Sequence, residues 1–408
     1  MNIHEGFLAQ MREATQLLQT EGPMAATAAI QRALHGAGAE HTAAPQSDWA
    51  KSLPKQPEMQ DINPPHASDA AADLKPGAGL AARLRELARS KWAGASARQH
   101  VEDADAHEVV DLAGKGQFLS ASCTNAAGTR AYKLYIPSGY QGEPLPLIVM
   151  LHGCTQNPDD FATGTGMNAA AEENNCFVAY PAQAQSANGS HCWNWFKPED
   201  QRRDQGEPSI IADITREIAR NYKIDPRRIY VAGLSAGGAM AAVMGASYPE
   251  LFAAVGIHSG LPYAVAHDMP SAFAAMKRSK AKGATRSAAT ASGPTPFRNN
   301  MPVIVFHGDR DATVHPANGD QVLAQCLSSA GQGADVKVEK GAEPNGRAYT
   351  KSLHHDAQGK RIAEKWVVHG AGHAWSGGSS KGSYTDPRGP NAAQEMLRFF
   401  LTHERGAV

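Results

Sequence analysis

The segment Gly233-Leu234-Ser235-Ala236-Gly237 constrains the chain most. It follows the apolar run Arg228-Ile229-Tyr230-Val231-Ala232 and opens into the small-residue run Gly238-Ala239-Met240-Ala241-Ala242. Strand, sharp turn and helix follow one another there. A serine on such a turn is held in a strained conformation with its hydroxyl pushed out at the strand end, and the flanking glycines permit close backbone packing. A bare GxSxG match is weak in a chain rich in Gly and Ser; the flanking strand and helix patterns are what give this one weight.

Serine is a poor nucleophile at neutral pH, so the chemistry needs an imidazole to take its proton and a carboxylate to orient the imidazole. Pro302-Val303-Ile304-Val305-Phe306 reads as a buried parallel strand leading into His307-Gly308-Asp309-Arg310-Asp311. Asp309 and Asp311 compete for one role, each with turn residue or helix cap as the plainer reading, and Asp311 is preferred. Lys365-Trp366-Val367-Val368 forms another strand, and Gly370-Ala371-Gly372-His373-Ala374-Trp375 is a glycine-rich loop able to present a histidine. Of 17 histidines, His373 stands out, whereas His307, His315, His354, His355 and His369 are read as structural. Ser235, Asp311 and His373 fall in the order that elbow serines use. An oxyanion needs two amides: Ala236 supplies one, and the turn His152-Gly153-Cys154-Thr155-Gln156, after the strand 145–151, supplies the other from Cys154, with Thr155 next in line.

These pieces resemble the esterase family of polyhydroxybutyrate (PHB) depolymerases, which also includes feruloyl and acetylxylan esterases. The similarity is carried by 152–156, Cys192-Trp193-Asn194-Trp195-Phe196, the Ser235 elbow, Gly260-Leu261-Pro262-Tyr263, His307 to Val314, Gly372-His373-Ala374-Trp375, Ser383-Tyr384-Thr385-Asp386-Pro387 and Gly389-Pro390, over about residues 116–405. The resemblance implies Ser235 as nucleophile, Asp311 as acid, His373 as base and the Cys154 and Ala236 amides as oxyanion hole. It also implies that Trp193, Trp195 and Trp375, with Thr155, line the substrate pockets. Burial in a cleft wall and burial in the core are equal alternatives for Trp193 and Trp195, and Trp366 is read as core.

The alternation of strands and helices predicts an α/β fold, a doubly wound, mostly parallel sheet of α/β-hydrolase type, over residues 116–408. Arg130 to Pro137 reads as an antiparallel edge strand, and 276–296 as a low-complexity basic insertion, either a lid, a basic patch or, preferred, a solvated loop. Before the catalytic region lie a helical segment (1–35), a flexible linker (36–76) and a short basic helix with its connection (77–115). The helical segment could hold the enzyme to a PHB granule surface, although packing elsewhere is the favoured alternative.

Formal net charge is -1, which argues against a nucleic-acid partner. The N-terminus lacks a signal-peptide pattern and no apolar run spans a membrane, so a cytoplasmic protein with no transmembrane segment is expected, export being the alternative. The five cysteines, Cys123, Cys154, Cys176, Cys192 and Cys326, show no metal spacing. Cys154 and Cys192 could bridge after export, but a reducing cytoplasm would leave thiols. The expected activity is hydrolysis of a carboxylic ester, favouring PHB or its oligomers, with no cofactor or metal. The alternatives are a feruloyl or acetylxylan esterase, or a granule-associated protein without catalysis. Oligomeric state is left open.

Overall fold

The computed structural model describes residues 110–111, 116–277, 301–328 and 335–406. The chain divides into two compact units, Met1–Gln99 and His100–Val408, and every described residue belongs to the second. The N-terminal helices, the linker, the basic helix and residues 278–296 of the insertion lie outside the described residues.

Strand β4 (Leu145–Leu151) is apolar along its whole length and buried at every residue. That is the pattern of a central parallel strand covered on both faces. Its side chains divide by alternation: Leu147, Val149 and Leu151 enter one core, and Ile148 and Met150 the other. Helices α1 (Pro158–Thr165) and α2 (Met167–Glu173) return the chain to β5 (Phe177–Pro181), parallel to β4. Helix α3 (Gly206–Asn221) then leads to β6 (Ile224–Leu234), which pairs with the other side of β4. The chain therefore changes direction across the sheet at β4, and the crevice at the carboxyl ends of β4 and β6 is the topological switch point.

From β6 the sheet grows one way. Helix α4 (Ala236–Ser247) connects to β7 (Ala254–His258), α5 (Met269–Lys277) precedes β8 (Val303–Gly308), and α6 (Ala317–Leu327) follows it. A hairpin of β9 (Asp335–Ala342) and β10 (Ala348–His355) precedes β11 (Arg361–Val368), which pairs parallel with β8. On the far side, β1 (Val110–Asp111), β2 (Gln117–Asn125) and β3 (Gly128–Ile136) add antiparallel strands. The order is β1-β2-β3-β5-β4-β6-β7-β8-β11-β10-β9, an 11-stranded sheet. Six successive strands, from β5 to β11, run parallel. This is the α/β-hydrolase architecture that the strand and helix patterns predict.

Two expectations need correction. Strand β3 is antiparallel but not at the edge, because β2 and β1 lie outside it. The predicted insertion begins inside a helix, since Met276 and Lys277 close α5.

One core holds residues of α3, α4 and α6, and the opposite core those of α1, α2 and the last helix, α7 (Ala392–Leu401). In α7, Phe400 is fully buried and stacks on Tyr230 of β6 with ring centroids 4.9 Å apart. The Asn391 side chain caps this helix by accepting from the Gln394 amide. Among the described residues, no helix is long and apolar enough to cross a membrane.

Candidate active site

Ser235 joins β6 to α4 with φ 58° and ψ -119°, a conformation that costs about 1–3 kcal/mol in a residue with a side chain. The glycines around it have steric reasons. A Cβ on Gly237 would overlap the Leu151 carbonyl, and one on Gly233 would overlap Gly237 itself. Bare backbone is thus required where α4 meets the ends of β4 and β6. The Ser235 amide donates to the His258 carbonyl at the end of β7 (2.9 Å), so the elbow is tied to the neighbouring strand. Ala236 opens α4, placing its amide among the first N–H groups that a helix leaves without intrahelical partners.

The turn after β4 lies against the elbow: a Cβ on Gly153 would sit 3.7 Å from Ser235 Cβ. Its amides are mostly used internally. Gly153 donates to Gln156 Oε1 (2.9 Å), Thr155 to the Ser190 carbonyl (2.7 Å) and Gln156 to the Gly153 carbonyl (3.3 Å). The Thr155 amide is therefore occupied by Ser190, and the Cys154 amide makes none of these bonds. Cys154 is disulfide-bonded to Cys192, with Cα atoms 4.2 Å apart, which is the bridged one of the two alternatives open for this pair. The bond joins the turn to the loop carrying Trp193 and Trp195.

Asp311 and His373 are brought together across the ends of β8 and β11. His373 Nδ1 donates to Asp311 Oδ2 at 2.7 Å, and the Asp311 carboxylate is wholly buried. Its Oδ1 accepts from the amides of Thr313 and Val314, both at 2.9 Å. The buried His307 donates from Nε2 to the Val314 carbonyl (2.9 Å) and lies 3.4 Å from Asp311 Oδ2. Burial alone would raise the Asp311 carboxyl, but the donors from His307, His373 and the Val314 amide outweigh it and hold the group well below the usual carboxylate range.

Asp309 takes a different part. It is more exposed and accepts from His369 Nδ1 (2.9 Å) and the Gly370 amide (2.7 Å), forming a second pair between the same two loops. Asp311 thus meets His373, and Asp309 meets His369.

Other positions were not singled out by their sequence. His258 is fully buried, stacked against Phe306 and Trp375, and its Nε2 accepts from the Ser376 amide at 2.9 Å. Burial, with His307 and His373 nearby, lowers it to about 3, so it stays neutral at ordinary pH. The buried Glu207 accepts from Gln183 Nε2 and from the backbone and side-chain nitrogens of Asn194, fixing the loop between the two tryptophans. Its carboxyl is raised by burial, with Asp200 adding to the effect. Neither residue carries a local sequence signal, since only the folded packing supplies their partners.

Trp193, Trp195 and Trp375 are buried, at 0, 7 and 1 % exposure, as both alternatives for Trp193 and Trp195 require. Trp193 lies against His152, and Trp375 packs between His258 and Phe161. Burying indole area is the gain that draws them inward. Trp366 lies in the core as expected, stacked on Phe306. Thr155 is exposed, its hydroxyl 3.1 Å from that of Tyr384.

Fold and site together define an α/β-hydrolase with a serine on a strained elbow and a buried Asp-His pair at adjoining strand ends. Residues 130–344 match the family model described as "Esterase PHB depolymerase", just over half of the chain. The chain belongs to this family. Over 254 residues it is 35% identical to poly(3-hydroxyalkanoate) depolymerase C of Paucimonas lemoignei, covering 61% of this chain and 59% of that protein. It is 28% identical to feruloyl esterase B of Neurospora crassa, covering 68% and 89%, and 27% identical to acetylxylan esterase A of Talaromyces purpureogenus, covering 66% and 73%. The match thus spans little more than half the length of the Paucimonas relative. Among solved structures, an acetyl xylan esterase from Aspergillus awamori is similar at 18% identity and TM-score 0.49, covering 69% of this chain and 99% of that one.

The depressed Asp311 carboxyl gives a pH prediction. Its folded value lies below the unfolded value of about 3.9, so the ionised group stabilises the fold above that pH and loses its contribution as pH falls toward the folded value. The stability difference between the native chain and Asp311→Asn, measured by urea denaturation, should be full above about pH 4 and narrow below it. A difference that stays constant or widens on acidification contradicts the assignment.

Proposed function

We propose that the chain is a serine carboxylesterase that cleaves ester bonds of poly(3-hydroxybutyrate) or its oligomers through Ser235, His373 and Asp311. The observation that carries the chemistry is the 2.7 Å bond from His373 Nδ1 to a buried carboxylate. Because an ionised carboxylate only accepts, Nδ1 bears the hydrogen and the Nε2 lone pair can act as base. Ser235 Oγ attacks the ester carbonyl as Nε2 takes its proton, and the Ala236 and Cys154 amides receive the oxyanion. The imidazolium, stabilised by Asp311, protonates the departing alkoxide. Water, deprotonated by His373, then attacks the acyl-Ser235 ester and releases the acid.

The choice of polyester is supported by the 35% identity to the Paucimonas depolymerase. A second reading, an esterase acting on acetyl or feruloyl groups, is supported by the fuller coverage of those relatives, 73% and 89% of their length. Attachment to a polymer granule belongs to the polyester reading as a partner still to be tested.

Incubating the chain with amorphous PHB, 3-hydroxybutyrate oligomers, methyl ferulate and acetylated xylan, and titrating released acid, separates these readings. Serine-dependent release from the polyester or oligomers is expected, with Ser235→Ala lowering kcat by roughly 10⁶-fold and Asp311→Asn by about 10⁴-fold. Unchanged turnover in Ser235→Ala contradicts the mechanism; release confined to ferulate or xylan moves the substrate to the second reading.

The Cys154–Cys192 bond also supports an oxidising compartment, the alternative to the cytoplasmic expectation. Protein purified without reductant and unfolded should then titrate three thiols, two of the five cysteines being held in that bond. Five would return the chain to a reducing compartment.

A further inference from the structure

Trp193, Trp195 and Trp375 are buried, so an aromatic ring that solvent reaches has to be found elsewhere. Among the described residues, the exposed large apolar side chains are Met269, Phe273, Val336, Val338 and Tyr384. Tyr384 is the one of these bonded to both sides of the site. Its hydroxyl lies 3.1 Å from Thr155 Oγ1, next to Cys154, and its carbonyl accepts from the Trp375 amide at 2.7 Å, two residues from His373.

Tyr384 is also held in a conformation that its side chain disfavours. Its φ is 52° and that of Thr155 is 64°, so both partners of the hydroxyl contact are left-handed non-glycine residues. Neighbouring bonds enforce this. The Ser383 amide donates to Asp160 Oδ1 (2.8 Å), Ser383 Oγ to Asp160 Oδ2 (2.5 Å), and Gln156 Nε2 to the Ser383 carbonyl (3.1 Å). Thr385, on the other side, pairs with Trp375 in a short parallel ladder. The surroundings therefore fix the backbone on both sides of Tyr384 while leaving its side chain 47 % exposed. Backbone strain maintained by so many partners leads from an observed outlier to a role in binding.

We infer that Tyr384 is the exposed aromatic wall of the ester cleft and the residue that separates extended esters from small ones. Resting on the esterase reading, this assigns the ring to the substrate unit next to the scissile bond, and the hydroxyl to a tether on Thr155. A hydroxyalkanoate unit offers methyl and methylene groups to the ring, and a feruloyl group offers an aromatic face. Methyl acetate is too short to reach beyond the bond being cut. The wall therefore acts on extended substrates alone.

The test compares native chain, Tyr384→Ala, Tyr384→Phe and Ser235→Ala on methyl acetate, a 3-hydroxybutyrate trimer and methyl ferulate, following acid release, with a thermal melt of each variant. The readout is whichever extended ester the native chain hydrolyses. Tyr384→Ala should raise KM for that ester about tenfold and lower kcat/KM on methyl acetate severalfold less than on that ester. Tyr384→Phe, which keeps the ring, should stay within about threefold of native KM. An unchanged KM in Tyr384→Ala, or an equal loss on small and extended esters, overturns the inference. Persistent turnover in Ser235→Ala instead overturns the esterase reading, so the two failures are distinct.

Discussion

No side chain fits between the start of α4 and the end of β4, and the site depends on that contact. With Gly237 against the Leu151 carbonyl and Gly233 against Gly237, the helix begins directly on the strand ends. The chain can make that turn only by placing Ser235 at φ 58°. The same approach sets Gly153 beside Ser235 and puts the Ala236 amide at the head of the helix. One steric condition thus brings Ser235 together with the amides proposed to receive the oxyanion. The strain of the elbow is offset by the buried packing of α4, in which ten consecutive residues from Ala236 to Gly245 are buried.

Electrostatics governs the other half of the site. A carboxylate without exposed surface is costly unless donors surround it, and Asp311 has His373, two amides and the nearby His307. The neighbouring Asp309, in contact with His369 and solvent, repeats the pairing without the burial. Only the buried pair can orient an imidazole in a low-dielectric environment, where a fixed negative charge best stabilises an imidazolium as it forms. The outer pair instead joins the two loops at the surface. A neutral His258 lies beneath them, bonding the Ser376 amide with its ring and the Ser235 amide with its carbonyl.

The parallel sheet was legible because β4, β5, β7 and β8 are continuous buried runs, each flanked by turn residues and a helix. Strand β2 and the β9–β10 hairpin were not. Their residues are largely exposed or half-buried, as in Asp335–Ala342, and carry no apolar stripe from which a register could be read. Within the site, Ser235, Asp311 and His373 were legible from their places after strands. For Trp193 and Trp195, cleft wall and core stayed equal alternatives because aromatic composition does not reveal which way a ring faces. Tyr384, His258 and Glu207 take their meaning from residues distant in sequence, whereas the Cys154 and Cys192 pair was legible as able to bridge.

The most direct measurement is to react the native chain with a fluorophosphonate and locate the adduct by peptide mass spectrometry, beside His373→Ala. A single phosphonylated site at Ser235, formed at least about 10³-fold more slowly in His373→Ala, is the expected result. An adduct on another side chain, or labelling of Ser235 at the same rate without His373, contradicts the assignment of an activated serine at the elbow.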